Sequence, residues 1–128
     1  MPYKDPEARR AYFKQWHKEH PGGQRAYQAA WYQRNRERVL AQQQLDRLKA
    51  LQHYSGKKTP RCCCCGETIY AFLTLDHIEG NGAAHRRETR YTQICSLLQR
   101  QGWPKGYQVL CYNCNFGRAK NGGVCPHA

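Results

Sequence analysis

The sequence predicts an α+β fold in which a basic helical arm precedes a small cysteine-rich domain. The first observation is compositional: all eight cysteines follow residue 60, whereas the first 60 of the 128 residues carry a net charge of +8. The second is a change of pattern. Residues 6–54 are rich in good helix formers, while short β-prone segments lie among the cysteines. A polar, breaker-rich stretch at 56–60 separates the two patterns, so we predict an arm over residues 1–56 and a domain over 57–128.

The arm is predicted to form two helices, near residues 6–19 and 24–53, because Pro21-Gly22-Gly23 is the one break in its helical composition. A weak repeat straddles this break: Arg10-Ala11-Tyr12-x-x-x-Trp16 returns as Arg25-Ala26-Tyr27-x-x-x-Trp31. The long helix has no broad apolar stripe, which is typical of a helix that crosses solvent, rests on a partner or is unstable alone. Near its end, Leu45, Leu48 and Leu51 share a face that could contribute to a homodimer.

The charge of the chain favours a polyanionic partner. The net charge is +12, and nucleic acid is the simplest partner for so basic a chain. In the arm, the cations predicted to contact DNA phosphates are Arg34, Arg36, Arg38 and Lys49. The alternatives are a solvated face, or a helix pair that closes on its Tyr and Trp residues. The longest uncharged apolar run, Ile69–Leu75, has seven residues, too few for a membrane span of about 20 residues. The chain opens without a secretory signal, so we expect a cytoplasmic protein.

Two C-x-x-C pairs, Cys62/Cys65 and Cys111/Cys114, are separated by 45 residues. Two such pairs are typical of a four-cysteine zinc site, since each short turn aims two thiolates at one tetrahedral ion. A zinc staple would also explain how so short a domain is stable. A register that uses Cys63 or Cys64 stays open, and a disulfide framework is the alternative. Cys95 is predicted to be a small buried hydrophobe, and a second metal site joining Cys125, His127 and His85 lacks an evident fourth ligand.

Polar side chains stand at the ends of the elements predicted between and after the cysteine pairs. A strand over Thr68–Ile78 carries Asp76 and His77 close to its end, and Glu79-Gly80-Asn81-Gly82 follows as a turn. A helix over Tyr91–Leu98 comes next, and Gly102 should end it. A second strand, Tyr107–Leu110, leads into Cys111, and the helix after Cys114 has Asn115 and Arg118 on one face.

Leu75-Asp76-His77-Ile78, followed by Leu110-Cys111-x-x-Cys114-Asn115 and framed by the upstream C-x-x-C-G, resembles the HNH endonucleases. The pattern is most similar to their zinc-containing branch, the phage recombination endonuclease VII-like proteins. The resemblance covers about residues 62–120. It implies an α+β fold with a small zinc-stapled ββα-metal (HNH) core, two strands and a helix around one catalytic ion, preceded by the basic arm.

The resemblance also implies roles for individual residues. Asp76 matches the metal-binding acid, His77 the general base and Asn115 the ligand on the finger helix, while the zinc on Cys62, Cys65, Cys111 and Cys114 is structural. Imidazole has a pKa suited to deprotonating water near neutral pH, and Asp and Asn oxygens suit Mg²⁺ or another divalent cation. Arg118 cannot ligate a cation, so we assign it to a phosphate.

The sequence departs from the family pattern before the second cysteine pair. An Asn often stands there and helps to hold the base, but residues 106–109 contain none, so we expect a backbone carbonyl to orient His77. Glu79, Asn81 and His85 are candidates for a third metal ligand or a supporting role, or else ordinary turn and surface residues. We expect Asp76, His77 and Asn115 to meet at one cavity.

The predicted function is therefore metal-dependent cleavage of DNA to 5′-phosphate and 3′-hydroxyl ends, in a protein encoded by a phage or its bacterial host. Double-stranded or branched DNA is the expected partner. A second basic cluster that would contact its backbone comprises His85, Arg86, Arg87 and Arg90. The alternative is a zinc-knuckle DNA-binding protein that does not cleave.

Overall fold

The computed structural model describes residues 4–89 and 93–127 of the chain, which divides into two compact units after Leu40. The two predicted arm helices are confirmed as α1 (Pro6–Glu19) and α2 (Gly23–Ser55). Asp5 caps α1 by accepting a 3.0 Å hydrogen bond from the Glu7 N–H, as expected for an acidic N-cap. Gly22 and Gly23 both adopt positive φ, a conformation that costs glycine little, and they form the turn between the helices. Within these described ranges, no helix is both long enough and apolar enough to span a lipid bilayer.

The second unit contains a two-stranded antiparallel sheet. Strand β1 (Leu73–His77) pairs with β2 (Tyr107–Cys111), and the register sets His77 opposite Tyr107 and Leu73 opposite Cys111. The predicted strand from 68 to 78 is correct only in its second half, because Tyr70–Phe72 forms a 3₁₀ turn. The Glu67 carboxylate accepts hydrogen bonds from the backbone N–H groups of Thr68 and Ile69, at 2.9 and 2.8 Å. These two donors are thereby directed away from any strand pairing.

Three short helices complete the second unit. They are α3 (Gly82–Thr89), α4 (Ile94–Arg100) and α5 (Tyr112–Lys120). The predicted helix after residue 91 corresponds to α4, which ends where Gly102 adopts a φ of 75°. Cys95 is half-buried, in keeping with its predicted packing role, and Tyr91 lies outside the described residues. Because α5 begins directly where β2 ends, Cys111 closes the strand and also caps the helix.

The core of the second unit includes the end of α2. The buried residues packed together are Leu51, Cys62, Leu73, Val109, Leu110, Cys111 and Cys114. Residues 41–55, nearly half of α2, therefore belong to the cysteine-rich unit, whereas the composition-based boundary lay at residue 56. Leu51 is fully buried within its own chain, while Leu45 on the same helix is 45% exposed. Leu51, one of the three leucines in the predicted stripe, therefore cannot contact a second copy of the chain in a homodimer.

Candidate metal and catalytic site

The four predicted zinc ligands come together. The Sγ atoms of Cys62, Cys65, Cys111 and Cys114 all lie within 4.8 Å of one another, and this cluster could hold a zinc ion. Cys65 Sγ and Cys111 Sγ are 3.6 Å apart, close to the roughly 3.8 Å between sulfurs on a tetrahedral ion with 2.3 Å Zn–S bonds. The donor set, four thiols and no carboxylate, is that of a closed structural site.

The local backbone explains why these thiols converge. After Cys62 the chain turns back, since the Gly66 N–H donates to the Cys62 carbonyl at 3.0 Å, and Gly66 has a φ of 78°. The Cys63 N–H donates to the Val109 carbonyl at 2.9 Å, which fastens this turn to β2. On the other side, Cys111 Sγ accepts from the Cys114 N–H at 3.4 Å in the first turn of α5. Each cysteine pair thus sits in a tight turn held at the end of β2.

The environment of Cys62 favours its thiolate. Burial alone raises the pKa of this thiol, but backbone N–H groups of Cys65, Cys111 and Cys64 favour the anion, and the net pKa falls to about 7. Because zinc binds thiolates, a lowered thiol pKa reduces the proton competition against the metal at neutral pH.

Asp76 and Asn115 lie on the sheet face that α5 covers. Asn115 Nδ2 donates to Thr74 Oγ1 at 3.1 Å, and one helical turn later Arg118 forms an ion pair with Asp76 Oδ2. Thr74 and Asp76 are two residues apart on β1, so their side chains point to the same face. Gln108, paired with Asp76 across the sheet, donates to the same Oδ2 at 2.9 Å.

This arrangement leaves one oxygen of each candidate ligand without a protein partner. Within residues 4–89 and 93–127, no hydrogen bond reaches Asp76 Oδ1 or Asn115 Oδ1, and neither is a fully buried unsatisfied atom. Carboxylate and amide oxygens are the ligands that Mg²⁺ takes. The two residues are therefore chemically suited to a hard divalent cation. Among the described residues, Asp76 belongs to no cluster of three or more Cys, His, Asp or Glu side chains that could hold a metal ion.

Arg118 joins α5 to the end of β1. Besides its ion pair with Asp76, the guanidinium donates to the carbonyls of His77, at 3.5 Å, and Ile78. Its Nε donates to the Gly123 carbonyl at 3.0 Å. Arg118 is 20% exposed and Asp76 15%, so the pair is partly desolvated.

His77 points to the opposite sheet face and lines a cavity of about 190 Å³. The other lining residues are Glu79, Asn81, His85, Lys105, Gly106 and Tyr107. His77 Nε2 lies 3.2 Å from His85 Nδ1, and the His77 ring centroid is 4.8 Å from that of Tyr107. Gly82 allows this position, because a methyl group there would come within 2.9 Å of His77 Nδ1.

The expectation that Asp76, His77 and Asn115 meet at one cavity is therefore wrong. Neighbouring residues on a strand point to opposite faces, so His77 enters the cavity while Asp76 faces α5. Neither Asp76 nor Asn115 lines the cavity. The contact that orients His77 is with His85, not with the predicted backbone carbonyl. Glu79 and Asn81 likewise lie with His77.

The surroundings of His77 favour its neutral form. Burial lowers the pKa of His77, the electrostatic influence of the neighbouring His85 lowers it further, and Asp76 partly opposes both effects. A neutral imidazole is the form that can accept a proton. Sequence reasoning missed Thr74, Tyr107 and Gln108, whose places follow from the pairing of β1 with β2. It also missed Lys105, which precedes β2 and lines the cavity.

The predicted DNA-contacting cations are mostly exposed. In the first unit, Arg34, Arg36 and Arg38 are exposed on α2; in the second, Lys49, Arg86 and Arg87 are exposed, whereas His85 is half-buried beside His77. Arg90 lies outside the described residues. The first unit also has an aromatic cavity of about 330 Å³, lined by Tyr12, Phe13, Trp16, His17, Gln24 and Tyr27.

The fold and the site define a small α+β protein whose cysteine cluster, which could hold zinc, lies at one end of the sheet, while Asp76 and His77 lie at the other end of β1. No protein-family model, no curated protein and no solved structure matches this chain.

Proposed function

We propose that this chain is a metal-dependent DNA endonuclease of the HNH type. One observation carries the proposal: Asp76 and His77 end a strand that is antiparallel to the strand entering Cys111, and the helix after it turns Asn115 and Arg118 toward Asp76's face. The base and the acid thus share the end of β1, and Asn115 lies on the acid's face of the same strand, at Thr74. Cys111 ends β2 and Cys114 lies in α5, so a zinc ion on the thiol cluster would hold this strand and helix together. The proposed catalytic ion would use other residues, Asp76 and Asn115.

His77 is the general base in this proposal. Its neutral imidazole accepts a proton from the attacking water, while His85 holds the ring through the 3.2 Å contact between Nε2 and Nδ1. The cavity of about 190 Å³ beside the ring is large enough to admit water. Lys105 contributes a cation to the cavity, where it would favour a phosphate over a neutral group.

Asp76 and Asn115 are the ligands for the catalytic cation. Mg²⁺ bound there would stabilise the negative charge that develops on the scissile phosphate and the leaving oxygen. Thr74 fixes the Asn115 amide by accepting from Nδ2, which leaves Oδ1 for the ion. Gln108 performs the same positioning for Asp76 from β2.

Arg118 has two roles that depend on the ion. Without a cation, it neutralises Asp76 through their ion pair. With the carboxylate engaged by Mg²⁺, the guanidinium can instead bind the scissile or a neighbouring phosphate, and a bidentate geometry makes Arg well suited to this.

Basic residues in each of the two units would provide affinity for DNA. Exposed arginines on α2 and α3 would contact the phosphate backbone, a contribution that weakens steeply as salt concentration rises. Double-stranded or branched DNA of a phage or its bacterial host, in the cytoplasm, is the substrate class that the resemblance favours. A homodimer would suit paired incisions.

The second candidate function is DNA binding by a zinc-knuckle protein without cleavage. The observation that favours it is that Asp76 is already paired with Arg118 and that His77 opens to a different sheet face. In that case the ion pair is structural and no second cation binds.

Cleavage of a supercoiled plasmid by zinc-loaded protein, with and without Mg²⁺, separates the two functions. Wild type should nick the plasmid only with Mg²⁺, and His77→Ala should reduce the rate at least about 100-fold, since general base catalysis contributes about 10²–10⁴. His53→Ala, an exposed histidine on α2, is the matched control and should nick normally. DNA binding by all three proteins without cleavage by any would establish the second candidate.

A further inference from the structure

A second group of metal-ligating side chains lies beside the zinc cluster. Cys64 Sγ, Cys114 Sγ, Cys125 Sγ and a ring nitrogen of His127 all lie within 4.8 Å of one another. The sequence pattern offered Cys125 and His127 no fourth ligand. The structure supplies two cysteines for them, and His85 lies elsewhere, beside His77.

The segment that carries Cys125 and His127 is fastened to α5. The Gly123 N–H donates to the Arg118 carbonyl at 2.9 Å, and Asn121 Nδ2 donates to the Val124 carbonyl at 3.0 Å. Pro126 packs directly on α5 at Gly117, where a methyl group would come within 3.0 Å of the proline ring. Residues 121–127 therefore form a hook, defined here as the C-terminal hook, which returns to the cysteine cluster.

The spacing of the ligand atoms fits a tetrahedral ion. His127 Nδ1 lies 3.3 Å from Cys114 Sγ and 3.8 Å from Cys125 Sγ. With Zn–S of about 2.3 Å and Zn–N of about 2.0–2.1 Å, a tetrahedral S···N edge measures roughly 3.6 Å. The two observed separations bracket this value.

Cys114 belongs to both groups. Two tetrahedra that share one corner need seven ligands, and the two groups together supply seven side chains. A thiolate sulfur has lone pairs enough to bind two ions at once. Cys63, in the same run of four cysteines, takes part in neither group: its Sγ donates to Gln108 Oε1 at 3.6 Å.

We propose that the chain binds two zinc ions that share the Cys114 thiolate. The first ion takes Cys62, Cys65 and Cys111 as its other ligands, and the second takes Cys64, Cys125 and His127. The second ion ties the C-terminal hook to both cysteine turns and so secures α5, the helix that carries Asn115 and Arg118. This inference stands on the ligand geometry alone and does not depend on the nuclease proposal.

Zinc content per chain, measured by native mass spectrometry after dialysis against a weak chelator, tests the proposal. Wild type should hold two zinc ions. Cys64→Ser and His127→Ala should each hold one zinc ion. Their circular dichroism spectra should match that of the wild type, because the first site stays intact. Cys63→Ser, the matched control one residue away, should hold two. In cadmium-substituted wild type, ¹¹³Cd NMR should give two resonances coupled through the shared sulfur.

Three results would overturn the proposal. Wild type that holds a single zinc means that the two groups are alternative sets for one ion. Loss of zinc from Cys63→Ser equal to that from Cys64→Ser means that the cysteine run has another register. Two uncoupled cadmium resonances mean separate ions without a bridging thiolate.

Discussion

Replacing Arg118 by Gln should tighten Mg²⁺ binding and yet slow DNA cleavage. In the free protein the guanidinium is paired with Asp76 Oδ2, so a cation that binds Asp76 must first displace this pair. Gln cannot form the ion pair, and that cost disappears. The same substitution removes the group proposed to hold a phosphate, so the two effects have opposite signs.

The expected magnitude follows from the exposure of the pair. Fully exposed ion pairs contribute about 0.2–1 kcal/mol, and hydrogen bonds to charged groups about 1.5–3 kcal/mol. At 20% and 15% exposure, Arg118 and Asp76 fall between these cases, at about 1–1.5 kcal/mol. Since about 1.4 kcal/mol corresponds to a factor of ten, Mg²⁺ affinity should rise roughly five- to twelve-fold.

Manganese binding followed by electron paramagnetic resonance, on zinc-loaded protein without DNA, measures this affinity, because Mn²⁺ suits the same oxygen ligands. Lys120→Gln is the matched control. It removes one positive charge from the same helix, and its ammonium lies over the Phe116 ring at 5.4 Å instead of on Asp76. At physiological salt the control should change affinity less than about two-fold, since screening limits distant charges. Equal affinities of the two variants would refute the competition between Arg118 and the cation.

Three further outcomes are expected. In urea unfolding, Leu51→Ala should lower the free energy of unfolding by about 2–5 kcal/mol and Leu45→Ala by under about 0.5 kcal/mol. The reason is that Leu51 is fully buried whereas Leu45 is 45% exposed. Equal losses would contradict the assignment of the end of α2 to the core. The acid limb of the pH–rate profile should lie below pH 6.5, because the pKa of His77 is lowered from that value. His85→Ala should move this limb to higher pH, because His85 contributes to the lowering. A wild-type limb above pH 6.5 would contradict the lowered pKa of His77. Gly82→Ala should cut single-turnover cleavage about 10–100-fold with zinc content unchanged, because the added methyl displaces His77; an unchanged rate would show that the ring position does not matter.

The helices and the cysteine cluster were predictable because their signals are local. An N-cap, a proline and two glycines bound the arm helices, and paired cysteines aim at one ion whatever lies between them. The shortening of the first strand was harder to predict from the sequence. β1 pairs with β2 over five residues only, and Glu67 accepts hydrogen bonds from the N–H groups of Thr68 and Ile69 before it.

The division of the site between two sheet faces also depended on long-range pairing. Alternation alone indicates that Asp76 and His77 point apart, but only the pairing of β1 with β2 identifies Tyr107 and Gln108 as their neighbours. The role of the C-terminal hook required tertiary structure as well. Cys125 and His127 meet Cys64 and Cys114 only because the chain turns back after α5, and hydrogen bonds from Gly123 and Asn121 hold that turn.

Cleavage in water enriched with ¹⁸O tests the proposed chemistry most directly, with mass spectrometry of the new DNA ends. If His77 activates water while the cation stabilises the leaving oxygen, each cut should place one ¹⁸O on a 5′-phosphate and leave an unlabelled 3′-hydroxyl. Intact DNA after incubation with Mg²⁺, or cuts whose phosphates carry no label, would contradict hydrolysis at this strand end.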